Sequence, residues 1–343
     1  MPPLGLLVLA AQAFTLTPRE VMRAAESRDF VGVAAYSNGG HSEYLSAGRM
    51  RADARFPICS VTKLFTAVLV LQEIERGRLA LETKAKTILP ELSKELDETT
   101  ILDLLTHAST LANMDDAGPK DADGIAEAYR DRTPRDYSAT PIARRLARRG
   151  SGVAGAAFVY NNLDFVVLAA LMERLEGSSY AKLVQRKIIA PLRLRSTSVL
   201  VKPLLPRELP RSTSEPLNFA VYSGAGAIVS TTGDLLRFGE AILRGKILSP
   251  RGRAMLLTNA PRFGYIGFAS FRTTIAFGGK ILPVIDRPGA IGDFSVRFEL
   301  VPGVDTVVVV ATPKGDFDLG RVYEARGLSY DLLAAALSSS SAK

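Results

Sequence analysis

The 343-residue sequence contains no tryptophan, a single cysteine and two histidines. One cysteine excludes a disulfide within the chain and any metal site built from several cysteines. Two histidines argue against a histidine-based metal centre, so we expect no metal ion. Beyond the first 14 residues no stretch reaches the roughly 18 apolar residues of a transmembrane helix, and we expect no membrane span.

Basic residues outnumber acidic ones, and the formal charge is +8 at pH 7. The densest basic run is Arg144-Arg145-Leu146-Ala147-Arg148-Arg149, and no aromatic or glycine-rich nucleic-acid motif accompanies it. We therefore interpret this run as a solvated helix face and expect no nucleic-acid partner. With 47% hydrophobic and 23% charged residues, the chain is globular and long enough for two domains or for one domain with a large insertion.

The first residues resemble a short signal peptide. Met1 to Phe14 reads MPPLGLLVLAAQAF, an apolar core followed by the small-x-small pattern Ala11-Gln12-Ala13. We therefore expect residues 1–13 to be a signal peptide and the protein to be secreted or periplasmic. The segment lacks a basic start, and the alternative is a buried N-terminal segment of a cytoplasmic protein.

The segment Cys59-Ser60-Val61-Thr62-Lys63-Leu64-Phe65 joins a loop to an apolar helix that ends at Gly77. Residues three apart share one face of a helix, so the Lys63 amine can reach the Ser60 hydroxyl. A serine hydroxyl needs an adjacent base to act as a nucleophile. A lysine supplies that base if burial holds its amine neutral. Ser-x-x-Lys alone is common, and a helix-capping serine followed by a solvated lysine is the alternative.

Turn and capping signals predict helices at both termini and hairpins beside them. Thr17-Pro18-Arg19-Glu20 combines a helix N-cap, proline at the first helical position and a capping-box glutamate. Asn38-Gly39-Gly40 and Pro302-Gly303 each separate two β-prone runs, as hairpin turns do. Ser230-Thr231-Thr232 can cap a helix that Gly245 ends, Gly279 to Val284 is a strand candidate, and Tyr330 to Leu337 predicts a last helix.

Strand patterns are lacking between about residues 86 and 214. We therefore predict an α+β fold, in which an antiparallel sheet is flanked by N- and C-terminal helices and interrupted by a large all-helical insertion. Residues 14–85 and 215–343 would form the sheet subdomain, and residues 86–214 would form the helical subdomain. We expect the active site between the two.

Two further motifs follow Ser60-x-x-Lys63 along the chain: Tyr160-Asn161-Asn162 and Arg287-Pro288-Gly289. Together the three resemble the signatures of the serine β-lactamase and penicillin-binding-protein superfamily, Ser-x-x-Lys, Tyr-x-Asn and Lys/His-Thr/Ser-Gly. The Tyr-x-Asn form is typical of the class C-like branch, which contains β-lactamases, D,D-peptidases and related esterases. The resemblance extends over nearly the whole chain and implies a β-lactamase/transpeptidase-like fold.

The resemblance implies a role for each motif residue. Ser60 attacks the acyl carbon and carries the acyl-enzyme, Lys63 takes part in proton transfer, and Tyr160 is the general base, provided that nearby cations acidify its phenol. Asn162, two residues after Tyr160 and so on the same side of an extended segment, hydrogen-bonds Lys63 and the substrate amide. The backbone N–H groups of Ser60 and Ala290 form the oxyanion hole.

The third motif departs from the family pattern. Arg287 keeps the positive charge of the usual lysine or histidine, but arginine cannot act as an acid or base near neutral pH. Pro288 removes a hydroxyl that would contact a substrate carboxylate, together with one N–H. Gly289 fits a place where a side chain would crowd Ser60. These changes favour an esterase or amidase, and the alternative for Arg287 is a surface position on a strand.

We therefore predict a serine hydrolase that acts through an acyl-enzyme on a small ester or amide, without a metal ion or another cofactor. A β-lactamase or D,D-carboxypeptidase, acting on a β-lactam or a peptide, is the alternative, and a low-turnover binding or regulatory protein is the alternative of another class. The loops around 113–136 and 203–221 would select the substrate. Two weaker hypotheses are a catalytic Glu215 and a thiol hydrolase that uses Cys59 with His107. The sequence does not define the oligomeric state.

Overall fold

The computed structural model describes residues 16–116, 138–203, 209–211, 218–258 and 263–339. Helices and strands are numbered within these ranges. The predicted signal peptide, Glu215 and most of the two predicted substrate loops lie outside the described residues. Within those ranges, no helix is both long and apolar enough to cross a bilayer.

The centre of the fold is a seven-stranded antiparallel sheet in the order β2-β1-β10-β9-β8-β7-β6. Its strands are β1 (Gly32–Asn38), β2 (His41–Ala47), β6 (Ile266–Gly267), β7 (Ser270–Phe277), β8 (Lys280–Ile291), β9 (Phe294–Val301) and β10 (Thr306–Thr312). The first hairpin joins the last strand directly, because Val33 of β1 pairs with Ala311 of β10. The predicted α+β class with an antiparallel sheet is confirmed.

Two terminal helices cover the outer face of this sheet. They are α1 (Pro18–Glu26), which the Thr17–Glu20 capping box begins as predicted, and α11 (Leu328–Ser338). Alternate residues of the strands face these helices, and Val308 and Val310 of β10 belong to the outer core. The residues between them, Val307 and Val309, belong to the inner core.

The remaining helices contribute to the inner core, together with the inner face of the sheet. They are α2 (Thr62–Glu75), α3 (Ser93–Leu96), α4 (Ile101–Leu105), α5 (Ala139–Leu146), α6 (Asn162–Glu176), α7 (Tyr180–Val184), α8 (Ala190–Leu192), α9 (Thr232–Leu243) and α10 (Pro250–Leu257). Both α2 and α6 are apolar over most of their surface. α2 is buried along almost its whole length and α6 is buried as far as Met172, which makes them the central helices of the inner core.

A second, small sheet in the order β3-β5-β4 lies beside the helices. Its strands are β3 (Phe56–Pro57), β4 (Ser198–Val199) and β5 (Ile228–Ser230). The expectation that residues 86–214 contain no strand is therefore wrong for β4, which is too short to show an alternating pattern. The division into subdomains at residues 85 and 215 stays a prediction.

Candidate active site

A tight turn places Ser60 at the start of the central helix. Cys59–Val61 forms one 3-10 turn between β3 and α2. Cys59 has φ of 49°, a left-handed conformation that costs energy for a residue with a side chain. Ser60 is 7% exposed, and Lys63, one helical turn further on, is 0% exposed. The lysine therefore lies inside the protein, where its amine needs polar partners.

Three side chains from distant parts of the chain meet at this turn. The Ser60 Oγ lies 2.7 Å from the Tyr160 Oη and accepts a hydrogen bond of 3.2 Å from the Lys63 Nζ. The same Nζ donates to Asn162 Oδ1 at 2.5 Å and to the carbonyl oxygen of Ala225 at 2.9 Å. The buried amine thus has three acceptors, and the hydroxyl lies between an amine and a phenol.

The start of α6 holds Tyr160 and Asn162 in place. Between them, Asn161 caps the helix by accepting from the N–H of Leu163 at 2.8 Å, and its amide donates to the carbonyl oxygen of Leu111 at 2.8 Å. Asn161 is therefore structural. The residues on either side of it face Ser60 and Lys63, which agrees with the predicted i, i+2 relation.

Arg287 lies in the site and is 1% exposed, so the alternative of a surface position is wrong. Its Nε donates to the carbonyl oxygen of Ser60 at 2.9 Å, and its Nη2 donates to the Tyr160 Oη at 2.8 Å. The guanidinium carbon lies 5.5 Å from the centre of the Tyr160 ring. Both contacts are internal, and they connect the third motif to the first two.

β8 continues past the end of its neighbour β7 and forms an edge beside Ser60. The last β7 partner on β8 is Asp286, whereas pairing with β9 continues to Ile291. A proline inside a strand requires such an edge, and this is where Pro288 lies. At Gly289 an added Cβ would come within 2.7 Å of the Ile58 carbonyl oxygen and 3.0 Å of the Ser60 nitrogen. This close approach brings Ala290, which is exposed, to the rim of the site.

The surroundings move two pKa values toward neutrality. Burial lowers the pKa of the Lys63 amine to about 8, and the charge of Arg287 acts in the same direction. For Tyr160, burial raises the pKa, but the charges of Arg287 and Lys63 outweigh burial and lower the pKa to about 8. Tyr160 thus has the acidified phenol that the role of general base requires. The amine is neutral only above pH 8, because attraction to Tyr160 opposes the effect of burial.

His107 and Cys59 do not form a catalytic pair. The Cys59 Sγ donates to the carbonyl oxygens of Pro57 at 3.4 Å and Phe294 at 3.7 Å, and burial raises the pKa of this thiol. The His107 Nδ1 lies 3.3 Å from Asp164 Oδ2, and burial holds the pKa of the imidazole well below its usual range. The imidazole packs against the Tyr160 ring, with ring centres 4.5 Å apart, and supports it.

The sequence prediction missed Asp115. It lies in the turn Met114–Asp116, at the start of the 113–136 loop that we expected to select the substrate. Its Oδ2 accepts a hydrogen bond from Asn162 Nδ2, and its Oδ1 accepts from the Tyr222 Oη at 2.9 Å. Nothing in the local pattern distinguishes Asp115 from the aspartate that follows it, so no sequence signal identified it.

With the geometry established, comparisons with known proteins give the family. A model of the Beta-lactamase family matches residues 19–327. The chain is 29% identical over 285 residues to the esterase EstB of Burkholderia gladioli, covering 72% of this chain and 71% of that protein. It is 25% identical over 249 residues to a penicillin-binding protein of Bacillus subtilis (strain 168), covering 66% of this chain and 52% of the relative. The matched region thus spans about half the length of that second relative.

Among solved structures, the chain is similar in fold to D-amino acid amidase from Ochrobactrum anthropi SV3. The TM-score is 0.76 at 18% identity, over 94% of this chain and 100% of that one. At this identity the likeness shows the fold alone, which agrees with the predicted β-lactamase/transpeptidase-like architecture.

Proposed function

The chain belongs to the Beta-lactamase family, and on that premise we propose that it is a serine hydrolase that cleaves small esters or amides through a covalent acyl-enzyme on Ser60. One observation carries the proposal: the Ser60 hydroxyl lies within hydrogen-bonding distance of both the Tyr160 phenol and the Lys63 amine. A nucleophile flanked by two groups with pKa values near 8 has the base that a serine requires.

In the acylation step, Ser60 Oγ attacks the substrate carbonyl carbon and gives its proton to the Tyr160 phenolate. The carbonyl oxygen becomes an oxyanion held by the backbone N–H groups of Ser60 and Ala290. The tetrahedral intermediate collapses, and Tyr160 returns the proton to the leaving alcohol or amine. Lys63 and Arg287 supply the positive charge that keeps the phenolate accessible near neutral pH.

In the deacylation step, a water molecule attacks the Ser60 ester. Tyr160 again accepts the proton and then returns it to Ser60 Oγ, which restores the enzyme. Microscopic reversibility favours the same base for both steps, because the leaving group and the attacking water occupy the same side of the acyl carbon. Asn162 orients Lys63 throughout, through its Oδ1 contact.

The third motif favours a substrate without a recognised carboxylate, and this distinguishes the proposal from a β-lactamase or D,D-carboxypeptidase. The donors of Arg287 that contact Ser60 and Tyr160 are used inside the protein. Pro288 offers neither a side-chain hydroxyl nor an N–H. An ester or amide needs only the acyl site, which the chain retains.

The non-catalytic alternative has less support. Lys63 is fully buried with three acceptors, and a buried polar set of this kind is costly unless it is used. Ligand-dependent thermal stabilisation without covalent labelling of Ser60 would favour that alternative.

The test is turnover of an activated p-nitrophenyl ester together with labelling by a fluorophosphonate probe. Wild-type protein should turn over the ester and carry one label on Ser60. Ser60→Ala should not be labelled, and its turnover should fall by at least about 10³-fold. Ser151→Ala, which changes a serine in an exposed loop, should behave as wild type. Retained turnover by Ser60→Ala would overturn the proposal. Hydrolysis of penicillin would instead indicate a β-lactamase, and stable acylation by penicillin would indicate a peptidase.

We further propose that the protein acts outside the cytoplasm, secreted or in the periplasm. The support is the sequence pattern in Met1 to Phe14. N-terminal sequencing of the protein recovered from separated cell fractions tests this, and an intact Met1 in the cytoplasmic fraction would contradict it.

A further inference from the structure

A second cavity, of about 660 Å³, is lined by residues outside the Ser60 site, and we call it the arginine cavity. Its wall contains Tyr44 of the edge strand β2, Arg193 and Arg195 of the segment after α8, and residues at the start of α9 as far as Arg237. None of the described residues that line it belongs to the three motifs, and β1, β10 and β9 separate β2 from β8 in the sheet. A concave site of this size can hold a small molecule.

The wall of the arginine cavity carries an excess of positive charge. Arg193 and Arg195 are exposed and lie on either side of Leu194, which is buried. Neither arginine has an ion-pair partner within the part of the chain that the structure describes. The wall carboxylate of Asp53 is occupied, because Arg51 donates two hydrogen bonds to it, of 2.9 and 2.8 Å. Two guanidinium charges are therefore free to bind an anion.

Asp234, the other carboxylate of the wall, fixes the segment that carries these two arginines to α9. It is buried, and its Oδ2 accepts from the N–H of Ser196 at 2.7 Å and from the Thr197 hydroxyl at 2.9 Å. Its Oδ1 accepts from Arg237 at 2.7 Å. Both oxygens are thus used inside the wall, and the negative charge is paired. The backbone next to the free arginines is therefore held in place before any ligand binds.

Tyr44 adds an aromatic surface to the same cavity. Its side chain is on the wall, and the residue is 47% exposed. The ring lies against the start of α9, where an added Cβ at Gly233 would come within 3.2 Å of the Tyr44 Cε1. The absence of a side chain at Gly233 therefore leaves room for the ring. A half-exposed ring in a cationic cavity offers a stacking surface to an aromatic group of a ligand.

We propose that the arginine cavity binds a small phosphate monoester that carries an aromatic group. A phosphate monoester has a charge of about −1.5 to −2 at pH 7, which matches two unpaired guanidinium groups. A guanidinium can donate two parallel hydrogen bonds to phosphate oxygens. A carboxylate would supply only one negative charge. The aromatic part would pack on Tyr44. The proposal is independent of the hydrolase, because it uses no residue of the Ser60 site.

The test is isothermal titration calorimetry with phenyl phosphate, benzoate and inorganic phosphate. Wild-type protein should bind phenyl phosphate saturably and at least about tenfold more tightly than benzoate. Arg195→Gln should weaken the binding of phenyl phosphate about tenfold or more, because it removes a charge-assisted contact. Arg251→Gln, which changes an exposed arginine on α10, should bind as wild type does and is the matched control.

Tyr44→Ala tests the aromatic part of the proposal separately. This variant should bind inorganic phosphate as wild type does, but it should lose most of the preference for phenyl phosphate over inorganic phosphate. An unchanged preference would overturn the assignment of an aromatic ligand. Equal affinity of the wild type for phenyl phosphate and benzoate would overturn the assignment of a phosphate.

Two further measurements establish where the ligand binds. Arg193→Asn should also weaken binding, and asparagine tolerates the left-handed backbone of this residue, whose φ is 54°. Saturating phenyl phosphate should leave the rate of fluorophosphonate labelling at Ser60 unchanged. No saturable binding to the wild type, wild-type affinity in both arginine variants, or protection of Ser60 from the label would overturn the proposal. None of these results bears on the hydrolase, which ester turnover and labelling test.

Discussion

Arg287 is the residue at which the third motif departs from the family pattern, and its surroundings give this departure a chemical consequence. A guanidinium keeps its charge at every pH at which a protein is folded, whereas a lysine or histidine can lose it. Arg287 donates directly to the Tyr160 oxygen and helps to hold the phenol pKa at about 8. The acidity of the Tyr160 phenol thus depends on the charge of a guanidinium that contacts it directly.

This coupling predicts how the pH profile responds to substitution. In wild type, kcat/KM should rise with pH to a plateau above about pH 8, as Tyr160 becomes phenolate. Arg287→Met removes a positive charge, raises the phenol pKa and should shift the rising limb to higher pH, with about tenfold loss at pH 7 for each pKa unit gained. Arg287→Lys should shift it less. An unmoved limb in Arg287→Met would show that Tyr160 is not the titrating base.

At this scale, the sequence predicted what lies close together along the chain and missed what folding brings together. Ser60 and Lys63 are related by helical periodicity, and Tyr160 and Asn162 by extended spacing, so local geometry sufficed. Their catalytic roles stay a prediction. The contacts of Asp115 with Asn162 and Tyr222 depend on a turn and on chain segments about 47 and 107 residues away, which no local rule relates.

Among the elements, α6 organises the helices around it through Glu173. One carboxylate oxygen accepts from the N–H groups of Ala139 at 3.0 Å and Tyr180 at 2.9 Å. The other accepts from the N–H of Thr140 at 2.8 Å and from its hydroxyl at 2.7 Å. Glu173 thus accepts from N–H groups that have no acceptor within their own helices, at the starts of both α5 and α7, where a negative charge also interacts favourably with the helix dipole.

Loss of this double cap should destabilise the protein measurably. Glu173→Ala removes the acceptor for two helix starts, and we expect a loss of about 2–4 kcal/mol in the free energy of unfolding. Glu173→Gln keeps one carbonyl oxygen and should lose about half as much. Urea denaturation followed by circular dichroism measures both values. A loss below about 0.5 kcal/mol in Glu173→Ala would mean that water replaces the cap.

Element boundaries were predicted where capping chemistry marks them. The Ser230-Thr231-Thr232 signal gave the start of α9, since the Thr231 hydroxyl accepts from the N–H of Asp234 at 3.2 Å. The strand predicted from Gly279 to Val284 instead extends to Ile291 as β8, through Arg287 and Pro288. The longer strand was not predicted because it contains Pro288, and a proline indicates the end of a strand unless an edge position is known.

At the scale of the whole molecule, the fold depends on the meeting of the two chain ends. Hairpin and capping signals were enough to predict the antiparallel sheet and its terminal helices. They gave no indication that β1 pairs with β10, since that register joins Val33 to Ala311 across almost the whole chain. The pairing places α1 and α11 together on the outer face, opposite the inner core that contains α2 and the turn with Ser60.

A pair of buried acids lies in the outer layer, between the sheet and α11. Asp286 of β8 and Glu299 of β9 are directly opposite each other and are 2% and 0% exposed. Burial, and then the charge of Asp286, raise the pKa of the Glu299 carboxyl well above its usual range. Burial also raises the pKa of Asp286. The Arg297 guanidinium, 3.6 Å away, acts in the opposite direction but does not outweigh burial.

This pair should make the global stability of the protein depend on pH. Because the pKa of Glu299 is higher in the folded than in the unfolded state, folding favours its protonated form. Its contribution to stability is therefore complete below the unfolded value of about 4.5 and is lost as pH rises toward the folded value. Between these two pKa values, the free energy of unfolding falls by up to about 1.4 kcal/mol for each unit of pH. Removing the titrating proton should remove this dependence.

We therefore expect Glu299→Gln to raise the melting temperature at pH 8, with a smaller gain at pH 6.5 and almost none at pH 5. Glu82→Gln, which changes an exposed carboxylate, should show no such trend and serves as the matched control. Thermal denaturation at the three pH values measures the gain. The same gain at every pH would indicate that glutamine only packs better, and a loss at pH 8 would indicate that the carboxylate is paired in the folded protein. A gain that increases with pH would identify the outer layer as the part of the fold that limits stability in alkaline solution, where the Tyr160 phenolate is most abundant.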